Sequence, residues 1–171
     1  MEKDPAVVAR LAAERADEND HFRAFIKWYC RLSDGRLNAL ARRLGAAAAG
    51  EIHCLDCGAC CRSIVVPLED AEIATLAAHR GLGEPEFRRL HVRWVDQYEQ
   101  AIDGEPCPFQ EGHHCTVYEC RPEPCRGYPY IGGDIRSHSL AVLERAATCP
   151  IVFEMLERLK TELGFRRWRR P

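Results

Sequence analysis

A chain of 171 residues, 46% hydrophobic and 29% charged, is long enough to bury one core of ordinary size, which excludes a disordered chain and predicts one domain with extensions. A formal charge of −2 excludes a globally basic nucleic-acid binder. The opening stretch MEKDPAVVARLAAERADEND has neither the apolar core nor the small-residue cleavage site of a signal peptide, and no later stretch is apolar enough to span a bilayer, so the expected location is cytoplasmic.

Up to about Gly50 the apolar spacing predicts helices. Phe22, Phe25, Ile26 and Tyr29 fall on one face, and after a turn at Ser33, Asp34 and Gly35 a second face carries Leu37, Leu40, Ala41 and Leu44. Such a helical hairpin needs a partner surface. The stretch CLDCGACC, residues 54–61, then opens an irregular loop, and SIVVP follows as an extended segment that Pro67 ends.

Two amphipathic helices come next. One carries Ile73, Leu76 and Ala77 up to a stop at Gly81, and the other begins near Pro85 and carries Phe87, Leu90, Trp94, Val95 and Tyr98 at helical spacing. Residues 103–138 are rich in Gly, Pro and Cys without a period, which predicts a long irregular segment that something must order. A last helix should begin at Pro150 with Val152, Met155, Leu156, Leu159 and Leu163 on its apolar face. The expected fold is mainly α: a small single domain with an irregular, cysteine-rich, metal-centred loop region and at most one or two short strands. Its expected parts are a helical extension over 1–50, a metal-binding domain over 51–153, and a C-terminal helix with a basic tail over 154–171 in the same globular unit.

Ten cysteines are the one large deviation in composition. In a reducing cytosol, thiols at this density hold metal or do redox work more often than they form a disulfide framework. They fall in three groups: CLDCGACC, then Cys107, Cys115, Cys120 and Cys125, and finally Cys149 before Pro150. A C-x-x-C gap lets a tight turn aim two sulfurs at one ion about 2.3 Å away. Cys54 with Cys57, and Cys57 with Cys60, have that gap. Cys60 and Cys61 are adjacent, and neighbouring side chains in an extended or turn conformation tend to point apart, which makes the pair awkward for one ion and favours more than one metal. The run C-x-x-C-x-x-C with a remote Cys-Pro is also close to the ligand run of bacterial ferredoxins, with a different gap before the fourth cysteine.

Cys54, Cys57, Cys60 and Cys61, then Cys107-Pro108-Phe109, Cys115 with Tyr118, Arg121-Pro122, Cys125-Arg126, Tyr128-Pro129 and Cys149-Pro150, together resemble the YkgJ-like cysteine-cluster family, CxxCxxCC, described as chelating zinc or iron. The resemblance covers roughly residues 52–152. It implies eight metal ligands: Cys54, Cys57, Cys60, Cys61, Cys107, Cys115, Cys125 and Cys149. Cys30 and Cys120 fall outside it; Cys30 is expected to be a buried, inert thiol one helical turn beyond Ile26. The implied cofactor is zinc or iron, an iron–sulfur cluster included.

Eight thiolates around two zinc ions would carry a formal charge of about −4, which an apolar interior accepts only with donors and counter-charges nearby. Arg62, Arg121 and Arg126 lie close to candidate ligands in sequence, and Cys149 before a helix N-terminus would gain from its dipole. His113 and His114 beside Cys115 are of a ligand type but read more simply as solvated loop histidines. His53 precedes the cysteine signature, and His91 lies on an apolar face, where packing is the plainer role. Tyr118, Tyr128 and Tyr130 are suited to shield the thiols from water. The tail GFRRWRRP interleaves Arg166, Arg167, Arg169 and Arg170 with Phe165 and Trp168; nucleic acid or an anionic surface would suit it, though a solvated tail is commoner.

No phosphate loop, hydrolase elbow or zinc-protease helix motif appears, so any catalysis must use the cysteines. The leading expectation is a protein whose thiolates bind metal ions, zinc or iron. An iron–sulfur redox enzyme or electron-transfer protein, and a metal carrier or thiol redox sensor, are the alternatives.

Overall fold

The structure is a computed structural model and describes residues 1–96 and 99–165. As the sequence predicts, the chain is mainly helical. In chain order the helices are α1 (Pro5–Glu14), α2 (Ala16–Trp28), α3 (Asp34–Glu51), α4 (Cys54–Cys57), α5 (Asp70–His79), α6 (Glu84–His91), α7 (Glu123–Gly127), α8 (Ser139–Ala146) and α9 (Pro150–Glu162). Among the described residues the strands form two short antiparallel ladders, β1 (Val92–Trp94) with β2 (Gln100–Ile102), and β3 (Gln110–Glu111) with β4 (His114–Cys115). No helix among the described residues is long and apolar enough to cross a membrane. The chain divides into two compact units, one made of Met1–His53 with the chain from Pro129 onward, the other of Cys54–Tyr128.

The first unit is helical. Asp4 caps α1 by accepting from the Ala6 N–H at 2.8 Å, and Pro5 occupies the first turn, where its missing N–H costs nothing. Along α3, Leu37, Ala41, Leu44 and Ala48 recur at helical spacing and are buried against α9, which buries Ile151, Val152, Met155, Leu156 and Leu159 in return. A Cβ on Gly45 would lie 2.4 Å from the Ile131 side chain, so glycine is what admits Ile131 to this face. Lys160, only 5% exposed, bonds Glu18 at 2.8 Å and Glu157 at 2.7 Å, and so ties α2 to α9 through a paired rather than an isolated charge.

The end of α2 departs from expectation. The helix stops at Trp28, because the Arg136 guanidinium takes the carbonyls of Ile26, Cys30 and Leu32 and pairs with Asp34 at 2.6 Å, closing the turn into α3. Tyr29 is therefore 73% exposed rather than part of the buried face, and Cys30 lies past the helix end, half-buried, instead of on it. Helix α8, whose Val142 and Ala146 are buried, had no counterpart in the sequence reading. Helix α9 begins at Pro150 as predicted.

The second unit holds its own core: Val66, Leu68, Ile73, Leu76, Ala77, Phe87, Ile102, Phe109 and Val117. Helix α5 carries Ile73, Leu76 and Ala77 inward, starts where Glu72 reaches back to the Glu69 N–H at 2.9 Å, and ends before Gly81 at φ +66°, as predicted. Helix α6 is shorter than its apolar spacing suggests. It ends at His91, and the chain becomes β1, with Val92 opposite Ile102, Arg93 opposite Ala101 and Trp94 opposite Gln100.

That pairing places Ala101 and Ile102 in the core, whereas Leu90 and Trp94 stay 44% and 63% exposed. Long-range strand pairing thus overrides the local helical pattern. Tyr98, assigned to the same helix by its spacing, lies outside the described residues. Of the SIVVP stretch, Ser63 closes the preceding turn, and the pairing with β2 runs from Val66 through Pro67 instead of ending there, the Ile102 N–H donating to Val66 O at 2.9 Å and the Leu68 N–H to Gln100 O at 2.8 Å. Phe87 stacks on Phe109 with ring centres 5.9 Å apart, and His91 packs against both. Burial, helped by the Arg80 charge, pulls the His91 pKa down.

Candidate metal centre

The first cysteine segment is one turn of helix followed by a reversal. The Gly58 N–H closes α4 by donating to Cys54 O at 3.0 Å, and Gly58 adopts φ +58°, a left-handed conformation that suits glycine. The fit is also close: Gln110 donates to Gly58 O at 3.1 Å, and a Cβ on Gly58 would sit 2.4 Å from that amide nitrogen. Beyond the reversal a single 3-10 turn, Cys60–Arg62, is pinned by Ser63, whose N–H reaches Cys60 O and whose hydroxyl reaches Ala59 O.

The second segment is fastened to the first. The Cys107 N–H donates to Cys61 O at 2.8 Å, and the chain then drops Phe109 into the core. The β3–β4 hairpin turns at Gly112, φ +63°, setting Gln110 opposite Cys115. The Thr116 N–H returns to Phe109 O at 2.8 Å, and Val117 enters the core. A 3-10 turn, Tyr118–Cys120, leads to α7, where the Cys125 N–H donates to Pro122 O and the Glu123 N–H to a Glu72 carboxylate oxygen at 2.6 Å. The segment without a sequence period is therefore ordered by two apolar plugs, one hairpin and hydrogen bonds to α5.

Six candidate ligands, Cys54, Cys60, Cys61, Cys107, Cys115 and Cys125, line one open cleft of about 780 Å³ counting its mouth. Leu55, Ile64, Phe109 and Val117 supply apolar wall between them. Leu55, Val117 and the Gly58–Gln110 contact were not singled out from sequence, whereas Phe109 belongs to the motif Cys107-Pro108-Phe109 and Ile64 to SIVVP. Cys57 shares α4 with Cys54 but is not part of the cleft wall, and its carbonyl accepts from Arg62 at 2.9 Å. Cys149 belongs to the helical unit, where it is buried at the start of α9 with its N–H on Arg145 O at 2.8 Å. Cys120 packs on the core, and its thiol donates to Val117 O at 3.5 Å. None of the ten cysteines is disulfide-bonded.

His113, Tyr118 and Tyr128 line the cleft; His114 lies exposed in β4, His53 precedes α4, and Tyr130 belongs to the helical unit under the Arg145 guanidinium. The arginines of the tail and Trp168 lie outside the described residues.

The adjacent pair Cys60 and Cys61 behaves differently from the sequence expectation. A 3-10 turn rotates successive residues by about 120° rather than the 180° of a strand. Both thiols therefore reach the same cleft, and Cys60 hydrogen-bonds the Cys61 sulfur. Adjacency alone thus stops being an argument for two ions.

The thiols differ in charge. The Cys60 hydrogen bond, with the Arg62 and Arg121 charges, brings the Cys61 pKa down to about 6 against the effect of burial. Burial pushes Cys54, Cys107 and Cys115 up. Burial, then the neighbouring Cys61, Cys107 and Cys115, pushes Cys125 up to about 12. One thiolate thus faces several protonated thiols. Among the described residues no three His, Cys, Asp or Glu side chains meet in metal-holding geometry. Without a cation, protonated sulfurs gain nothing from converging and ionised ones repel; binding an ion would draw them together and release protons. Soft sulfur donors of this kind suit zinc, iron and iron–sulfur clusters and suit the hard cations magnesium and calcium poorly.

Residues 53–150, more than half of the chain, match the model of the CxxCxxCC family, whose description reads "Putative zinc- or iron-chelating domain". No curated protein and no solved structure matches the chain.

Proposed function

Because the chain belongs to the CxxCxxCC family, we propose that its cysteine cleft is a thiolate centre that holds zinc or iron. One observation carries the reading: six cysteines from distant parts of the sequence line a single cleft, one of them already favouring thiolate at neutral pH. The ligands are drawn from the cleft's Cys54, Cys60, Cys61, Cys107, Cys115 and Cys125, with Cys57 beside them on α4. A bound ion supplies charge to hold the thiolates ionised and, if iron, an electron acceptor.

The chain's own residues do the rest. Cys61 would meet an ion already ionised near pH 7, and Cys54, Cys107 and Cys115 would give up protons to solvent on ligation. The Cys107 N–H bond to Cys61 O holds the two segments in register, while Leu55, Ile64, Phe109 and Val117 keep water from competing for the sulfurs. Cytoplasmic residence fits, because a reducing compartment keeps such thiols available.

Anaerobic purification followed by elemental analysis and an absorption spectrum tests this. Zinc or iron bound in stoichiometric amount, and lost when cleft cysteines are changed to serine, is expected; a protein that takes up neither metal under reducing conditions would sink the reading. An iron–sulfur redox protein is the second reading, favoured by the cleft holding more thiols than the four that one tetrahedral zinc takes. It predicts a visible charge-transfer band and acid-labile sulfide, and a colourless zinc protein would exclude it.

A further inference from the structure

Of the arginines near the cysteines, Arg121 is the one placed to act on several thiols together. It lines the cleft, its guanidinium carbon lies 3.5 Å from the centre of the Tyr118 ring, and its Nε donates to Tyr118 O at 3.0 Å. Its own carbonyl accepts from the Arg126 guanidinium, so Arg126 props the backbone that carries it. The planar group is thus clamped on one face and along one edge, which limits the entropy lost when it meets a charge. Among the described residues no carboxylate pairs with Arg121.

It instead shares one cleft wall with Cys54, Cys61, Cys115 and Cys125, where a positive charge favours thiolate over thiol. Those thiols come from both cysteine segments. Arg62 also bears on Cys61, but one end of its guanidinium is committed to Cys57 O. A zinc ion with four thiolates carries a formal charge of about −2, and an apolar cleft resists that charge unless a cation stands beside it.

We propose that Arg121 is a positioning residue of the metal centre: clamped on Tyr118 and without a carboxylate partner among the described residues, it supplies the counter-charge that lets the thiolates gather around an ion. This rests on the thiolate-centre reading above. Arg121 touches the ligands' field rather than the ion, so its effect is on how tightly the centre holds metal and on the electronic state of the sulfurs.

The experiment uses the full chain under reducing conditions, with zinc and cobalt(II) as probes in competition titrations of wild type, Arg121→Lys and Arg121→Gln. Loss of an outer-shell charge should weaken zinc binding by about 10–100-fold in the Gln variant, while Lys, which keeps the charge, stays within about threefold of wild type. The cobalt–thiolate charge-transfer band should shift in the Gln variant and not in the Lys variant, a signature that lost packing alone would not produce. Should Arg121→Gln lose its helical circular dichroism without metal, Arg121→Met, whose stem can still cover Tyr118, takes its place with the same expectation. Equal weakening by Lys and by the neutral variant, or unchanged affinity in the neutral variant, overturns the counter-charge role while leaving the metal centre standing. A wild-type protein that binds neither probe overturns both.

Discussion

The backbone N–H of Cys107 donates to the carbonyl oxygen of Cys61 at 2.8 Å, joining the two cysteine segments main chain to main chain. The bond does not depend on either thiol's protonation or on metal. It holds the segments together while their sulfurs remain available, so the scaffold of the cleft precedes its occupant. The core beneath has the same effect, since Cys107, Cys115, Cys120 and Cys125 all pack against it.

The thiols of the metal-free protein should differ in reactivity. With a pKa of about 6, Cys61 is about nine-tenths thiolate at pH 7, whereas Cys125, pushed up to about 12, is almost wholly protonated. Brief alkylation with iodoacetamide at pH 7, read by peptide mass spectrometry, should label Cys61 first and Cys125 among the last. Lowering the pH below about 6 should slow the labelling of Cys61 as its thiolate is protonated, while Cys61 stays the first cysteine labelled.

Stability without metal should fall in alkali. The folded-state pKa of Cys125 is raised above its ordinary 9.0, so its contribution is full below pH 9 and is lost as pH rises toward about 12. Cys61 has the opposite sign: its lowered pKa contributes above about 9 and is lost as pH falls through about 6. Urea denaturation of the metal-free protein from pH 7 to 11 should show the alkaline decline, and Cys125→Ala should flatten it. Metal affinity should move the other way and strengthen from pH 6 to 8, because ligation must expel protons from Cys54, Cys107 and Cys115.

Gly58→Ala should cost about 1–3 kcal/mol, from a left-handed residue acquiring a Cβ and from the collision of that Cβ with the Gln110 amide. Denaturant midpoints measure the loss. Adding Gln110→Ala should return the steric part and leave the backbone part, so full recovery in the double variant would contradict this division.

Phe109→Ala should destabilise the cysteine unit by about 3–5 kcal/mol even without metal, because Phe109 is buried against Phe87 and opens a cavity when truncated. Chelation of a metal-loaded wild type should act more locally. Hydrogen exchange is expected to quicken between Cys107 and Cys125 while α5 and α6 stay protected, whereas the Phe109 variant should quicken exchange in all three.

Arg136→Ala should weaken the helical unit by about 2–4 kcal/mol, since it strips charge-assisted donors from the carbonyls of Ile26, Cys30 and Leu32 together. Thermal unfolding followed at 222 nm checks this. A change smaller than that of an ordinary surface substitution would mean that water replaces the guanidinium freely.

Read alone, the sequence determined what depends on neighbours along the chain. The start of α9 at Pro150, the end of α5 before Gly81 and the apolar faces of α3 and α5 all follow from proline geometry, glycine at positive φ and helical period. The order and spacing of its cysteines determined the family, because cysteine positions survive in one dimension.

Tertiary structure decided what depends on distant partners. Trp94 and Val95 continue the spacing of α6, yet β2 offers Val92–Trp94 a ladder and Ile102 a buried place, so the helix ends. Tyr29 and Cys30 leave α2 because Arg136, far along the chain, claims the carbonyls there. Cys60 and Cys61 share a cleft because the turn holding them is 3-10, set by Ser63 and by the bond from Cys107. Which arginine faces the thiols, and which thiol is ionised, are likewise properties of field and burial. Both fall off with distance in space, and separation along the chain does not measure that distance.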